Sequence, residues 1–297
     1  MTVNPAPVES LPPTPSPDRS WRGLDMLQGG KGYADAPLGQ LHFRDIGPRD
    51  ARSPLLLIHQ SPMSMVEFGA AQNSLAALGV RSVAPDTPGY GLSDQPTCLP
   101  TIGGLADNLV ALLDHLGIER VVASGHHTGA CVATALAARH PDRVAGLVLH
   151  GCPVYSAEEA ARFREKAEWD HSPKRDGSHL SMLFRLFAKD DDITADQMFA
   201  WTWMSLTLFQ QGADIGHWAV NRYDMTADLM RVRAPGLIVT ETQDIIHYMD
   251  ERAHAMRPDF ALEVLSATGA TGIMTDPDRW ARLAVDWMRS ASLMEAA

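Results

Sequence analysis

The sequence predicts a doubly wound, mostly parallel α/β sheet with an inserted helical cap. Three observations predict it. Short continuous apolar runs recur along the chain, a stripe of helical period falls between them, and the alternation breaks off over residues 155–226 before resuming. Continuous apolar runs suit strands covered on both faces, because a sheet with one wet face alternates apolar and polar positions instead. Strand–helix alternation in turn is the pattern of a parallel sheet wound by crossover helices.

Residues 1–22 come first. Their opening seventeen positions hold six prolines (Pro5, Pro7, Pro12, Pro13, Pro15 and Pro17), which predicts a disordered or surface-hugging tail of polyproline character. The core is expected over 23–154 and 227–297. Leu55–Ile58 is its first buried strand, and Arg81–Ala84, Arg120–Ala123, Leu147–Leu149 and Leu237–Val239 repeat the signal. Leu105, Leu109, Leu112, Leu113 and Leu116 lie on one helical face, and Gly117 stops that helix.

Over 155–226 the strand signal disappears, and a helical cap is expected. Ser156-Ala157-Glu158-Glu159 has the spacing of a capping box, as does Thr194-Ala195-Asp196-Gln197. The second leads into Met198, Phe199, Trp201, Trp203, Met204, Leu206, Leu208 and Phe209, apolar on more than one face. That stripe serves helix–helix packing, with Trp201 and Trp203 the candidates for lining a substrate pocket.

A chain of 297 residues has ample length for one large core. Its 25 Lys and Arg against 36 Asp and Glu leave a net charge of −11, which argues against a nucleic-acid partner or a polybasic membrane surface. No run approaches a membrane span, and no apolar signal-peptide segment opens the chain. Cys98, Cys131 and Cys152 are odd in number and far apart, so neither a disulfide framework nor a cysteine zinc site is expected. A reducing, cytoplasmic location follows from that. No metal or cofactor is expected, and the partners are a small-molecule substrate and at most a second copy of the chain in a homodimer.

In a doubly wound sheet, chemistry gathers beyond the carboxyl ends of the strands. Those ends carry His59-Gln60-Ser61-Pro62, Asp86–Gly91, Gly125-His126-His127-Thr128-Gly129, His150-Gly151 and Glu241-Thr242-Gln243-Asp244. The third follows a strand, precedes the alanine-rich stretch Ala130–Ala138, and places a glycine two residues either side of His127. This is the context of a nucleophile elbow, whose sharp turn lifts one side chain above the sheet and has no room for side chains at the flanking glycines.

On these residues the chain resembles the α/β-hydrolase fold family from about residue 33 to 297. The His59–Pro62 turn, the Asp86–Asp94 loop, the elbow, the inserted cap and the Asp244 loop carry the resemblance. It implies an oxyanion hole made by the backbone N–H groups of Ser61 and Thr128. It also implies an acid at Asp244, with Glu241 the weaker choice. Two departures shape the rest. The elbow apex is His127 instead of Ser, Cys or Asp, and Thr271 stands where the family places its late histidine. A Ser–His–Asp relay needs both a hydroxyl and an imidazole in those seats, so ordinary serine esterase chemistry is disfavoured.

With a small residue at 271, an imidazole at 127 has the reach to meet Asp244 directly or through one water. The dyad would act as a general base, or the neutral ring would attack a carbonyl itself. The helix N-terminus lowers the ring's pKa and a nearby carboxylate raises it, and the sequence leaves the net sign open. Gln60, His59, His126, His150, His247 and Thr271 complete the expected substrate surroundings, although packing is the favoured role for His59 and His126. His150 and His247 with His127 and Asp244 would make a metal cluster, but no HxH or HExxH spacing supports one. His171, His179 and His217 belong to the cap rim. Thr128 and Ser124 are alternative hydroxyls off the apex, and Cys152 reads as a buried small residue.

Two functions compete. One is an enzyme that hydrolyses, or cleaves, isomerises or cyclises by a related route, a small and moderately apolar molecule through His127. The other is a non-catalytic descendant that binds a ligand or partner under its cap.

Overall fold

A computed structural model describes residues 28–51, 53–165, 174–187, 198, 202, 215–266 and 272–294. The tail over 1–22, the Thr194–Gln197 box, Trp201, Trp203, His171 and Thr271 lie outside the described residues.

Eight strands make one sheet in the order β1-β2-β4-β3-β5-β6-β7-β8. They are β1 (Lys31–Ala34), β2 (Leu41–Ile46), β3 (Leu55–Ile58), β4 (Ser82–Pro85), β5 (Val121–His126), β6 (Val144–His150), β7 (Gly236–Glu241) and β8 (Ala261–Ser266). Both pairings of β2 are antiparallel and every pairing from β4 through β8 is parallel. The apolar runs are strands for the reason the sequence suggests: both faces are covered. Leu55 and Leu57 enter one core, while Leu56 and Ile58, pointing the other way, enter a second.

The first face is packed by α1 (Gly69–Ala77) and, from the chain's end, α10 (Pro277–Ser290), which contact each other. The second is packed by α2 (Ile102–His115) and α3 (Thr128–Arg139). In α2, Leu105, Leu109, Leu112 and Leu113 are buried as the stripe predicts, Thr101 caps the N-terminus through the Gly104 N–H, and Gly117 leaves the helix at φ +63°. Strands β1, β2 and β8 are too short or too mixed in polarity to have stood out from the sequence.

Among the described residues of 155–226 there is no strand; α4 (Ala157–Glu165), α5 (Ser178–Phe187), α6 (Ile215–Val220) and the start of α7 (Met225–Leu229) lie there, and Met198 and Thr202 are helical as well. The Ser156 capping box forms reciprocally: the Glu159 N–H donates to Ser156 Oγ at 3.2 Å and the Ser156 N–H to Glu159 Oε2 at 2.6 Å. Glu159 also binds Arg252 and Tyr248 of α8 (His247–Met256), which docks this helix beside the Asp244 loop. A last short helix, α9 (Gly272–Thr275), precedes α10. No helix among the described residues is long and apolar enough to cross a membrane.

Candidate active site

The elbow between β5 and α3 is as tight as its glycines predict. A Cβ on Gly129 would lie 1.9 Å from the Ile58 carbonyl oxygen, and one on Gly125 would lie 2.0 Å from the Gly129 oxygen. Neither position tolerates a side chain. Between them His127 adopts φ +46°, ψ −106°, the left-handed side of conformational space that a non-glycine residue rarely occupies. Its N–H donates to the His150 carbonyl at 2.9 Å, which ties the apex to the end of β6.

From this apex the imidazole reaches the acid loop. His127 Nε2 lies 2.7 Å from Asp244 Oδ2, with the ring 19% exposed and the carboxylate buried. Asp244 Oδ1 accepts the Ile246 N–H at 3.0 Å, so both carboxylate oxygens are occupied. Burial alone would raise the Asp244 pKa, but the His127 charge, its hydrogen bond and the Ile246 N–H prevail and hold it well below the usual carboxylate range. For His127, burial pulls down, yet the charge and bond of Asp244, with Asp250 and Glu67 beyond, raise the pKa above 6.5. The sign that the sequence left open is upward. His127 Nδ1 makes no hydrogen bond among the described residues.

Two further histidines stack beside it. The His126 ring centroid lies 4.5 Å from those of both His127 and His150. Each of the three has its own carboxylate: His126 Nδ1 meets Glu67 Oε1 at 2.5 Å, and His150 Nε2 stands 2.9 Å from Glu241 Oε1 without the alignment of a hydrogen bond. Burial pushes the His126 pKa well below its ordinary value, with the neighbouring imidazoles adding to it. The ligating atoms of His126, His127 and Asp244 fall within 4.8 Å of one another. However, 2.7 Å between His127 and Asp244 is the spacing of a shared proton. Two ligands of one tetrahedral zinc stand about 3.3 Å apart.

Glu67 is a residue that the sequence reading passed over. Fully buried, it accepts from the Gln60 N–H at 2.9 Å, from Gln60 Nε2 at 3.0 Å and from His126 Nδ1, and so joins the loop after β3 to the elbow after β5. A lone acid inside the apolar stretch Met65-Val66-Glu67-Phe68 was the available signal. Gly151 was named only as part of the His150-Gly151 strand end and given no role of its own.

Ser61 and Thr128 are nearly buried, and their backbone N–H groups donate to no described residue. Ser61 Oγ is 3.0 Å from Tyr90 Oη, which accepts the Gly216 N–H at 2.8 Å, so α6 is pinned over this loop. His150, expected near substrate, is instead buried, and His59 and His126, for which packing was the favoured role, are buried too and present almost no surface to a substrate. For His59 the cause is visible: its Nδ1 donates to the Gln60 carbonyl and its Nε2 accepts the Thr87 N–H, a packing role. His247 opens α8, with Nδ1 2.7 Å from Thr240 Oγ1. It does not join His127. Ser124 and Cys152 are buried.

The sheet order, the elbow after its fifth strand and the acid loop after its seventh define the α/β-hydrolase fold, and the chain has that fold. A family model described as alpha/beta hydrolase fold matches residues 53–190. The chain is 34% identical over 115 residues to epoxide hydrolase 3 of Siraitia grosvenorii, covering 37% of this chain and 34% of that protein. It is 37% identical over 116 residues to a 2-hydroxy-6-oxononadienedioate/2-hydroxy-6-oxononatrienedioate hydrolase of Pseudomonas putida, covering 38% and 40%. The chain spans between about a third and a half of the length of the curated relatives it matches. Among solved structures, epoxide hydrolase A of Mycobacterium thermoresistibile superposes with a TM-score of 0.72 at 20% identity, over 90% of this chain and 99% of that one.

Proposed function

We propose that the protein is a hydrolase-like enzyme in which His127, backed by Asp244, is the general base acting on a small, moderately apolar organic substrate held between sheet and cap. The observation that carries the reading is the 2.7 Å contact between His127 Nε2 and a buried, ionised Asp244 at the apex of the elbow. The carboxylate fixes the ring's orientation and stabilises the imidazolium that forms when it takes a proton. The N–H groups of Ser61 and Thr128, unpaired among the described residues, then serve the negative charge that develops on a substrate oxygen. Gln60 borders the substrate in this reading. The relatives named hydrolases of epoxides and of oxo-dienedioates support bond cleavage with water as the reaction class.

General base catalysis is worth about 10²–10⁴-fold, which sets the expected effect. The purified chain is incubated with activated esters and β-diketones beside His127→Ala. Turnover that drops by about that factor in the variant supports the reading. Equal turnover by the variant, or none by either protein, sinks it. Tight ligand binding that survives His127→Ala without product identifies a non-catalytic binder instead.

A further inference from the structure

Gly151 follows β6 at φ +64°, and its missing side chain has a specific neighbour. A Cβ there would stand 2.1 Å from His127 Cδ2, 2.5 Å from His127 Nε2 and 3.3 Å from Asp244 Oδ2. Carbon atoms in contact settle at about 3.5–4.0 Å, so any side chain at 151 drives the ring back by more than about 1 Å. The 2.7 Å bond to Asp244 has no such slack, since an N–H···O bond is lost beyond about 3.2–3.5 Å. The imidazole therefore lies in a slot that only glycine leaves open.

The same geometry separates the two ring nitrogens. Nε2 is spent on a buried carboxylate whose other oxygen is already bonded. Nδ1 has no partner among the described residues, on a ring that keeps 19% of its surface exposed.

We propose that Gly151 is a positioning residue that seats the elbow imidazole against Asp244, and that His127 exchanges protons with substrate or water through Nδ1. The role rests on the general-base reading above. In the hydrolytic case the Nδ1 lone pair takes a proton from water while the water oxygen bonds to the electrophilic carbon. Nε2 keeps its own proton toward Asp244 throughout, and as the bond from that carbon to the leaving group breaks, its electron pair departing with the leaving group, the imidazolium returns the Nδ1 proton to it. Nδ1 flanks the ring's attachment to Cβ and is the more hindered nitrogen, which favours proton transfer over attack on carbon.

The test is a long-range ¹H–¹⁵N correlation of the histidine-labelled full chain across pH, in wild type, Gly151→Ala and Gly117→Ala. Gly117 is the control for strain, because it shares the backbone conformation at φ +63° but a Cβ there meets nothing within 4 Å. Neutral His127 is expected to be protonated at Nε2 and bare at Nδ1. Gly117→Ala should leave that pattern intact, whereas Gly151→Ala should abolish the low-field Nε2 proton and lower the ring's titration midpoint. Protonation of neutral His127 at Nδ1, or matching spectra for the two alanine variants, overturns the proposal. If Gly151→Ala does not fold, His127→Ala is added to it. Removal of the ring should then reduce the cost of Gly151→Ala to that of Gly117→Ala, and failure to do so overturns the role of Gly151. Turnover is read separately: the expected tautomer without turnover upholds the seating of His127 by Gly151 and sinks the general-base reading with the Nδ1 proton transfer, while turnover with the opposite tautomer overturns the Nδ1 assignment and leaves the general-base reading standing.

Discussion

His127 and Asp244, 117 positions apart in the chain, share a 2.7 Å hydrogen bond above the carboxyl ends of β5 and β7. In a Ser–His–Asp relay an imidazole bridges hydroxyl and acid. Here the imidazole springs from the elbow itself and touches the acid with nothing between them.

Asp244→Asn keeps the shape of that contact and removes its charge. Turnover should fall by about 10³–10⁴-fold, the loss that follows when an acid no longer fixes its histidine's tautomer. Steady-state kinetics on the best substrate from the ester and diketone panel measures it, and an unchanged circular-dichroism spectrum shows that the fold has survived.

Titration should separate the neighbouring rings. The His127 midpoint should lie above 6.5 and the His126 midpoint well below it, read by histidine NMR. A base must be unprotonated to act, so activity should rise with pH through the His127 midpoint. The linked stability effects have opposite signs. The raised pKa of His127 contributes stability that is full below about 6.5 and is lost as pH climbs through its folded value. For His126 the unfolded chain takes up a proton first, so its contribution shrinks as pH falls below about 6.5.

Glu67→Gln should destabilise the protein far more than its near-identical shape suggests. The carboxyl is ringed by three N–H donors, two from Gln60 and one from His126, and an amide turns one acceptor edge into a donor facing them. Leaving a buried donor without its acceptor costs about 1–3 kcal/mol. Urea unfolding of the variant against Gln60→Ala checks this, since Gln60→Ala removes only the side-chain arm.

Gly129→Ala should be about 3 kcal/mol destabilising or worse, because its methyl would stand 1.9 Å from a carbonyl oxygen of β3, and overpacking against backbone has little relief. Ala133→Gly, one helical turn on and buried in the core, should cost about 2 kcal/mol, about 1 from helix propensity and about 1 from the lost buried methyl. The two urea midpoints together test whether the elbow's tightness is the cause.

Much of this protein could be read along the chain. Leu55–Ile58 announced a strand covered on both faces, the α2 stripe and Gly117 announced a helix and its end, and Gly125 and Gly129 marked the elbow, because each signal is local to a few neighbouring residues. His127 and Asp244 were legible as a pair for the same reason: each sits at a strand end, and parallel strands deliver their carboxyl ends to one edge. What no local pattern held was the company those residues keep. The burial of His59, His126 and His150, the clamp of Glu67 on two separate loops, the upward shift of the His127 pKa and the slot at Gly151 all depend on distances between segments far apart in the chain. Composition and period determine which elements form and which face they bury. Only the packed sheet decides which nitrogen meets which oxygen, because hydrogen bonds and desolvation vary over tenths of an ångström that sequence spacing does not encode.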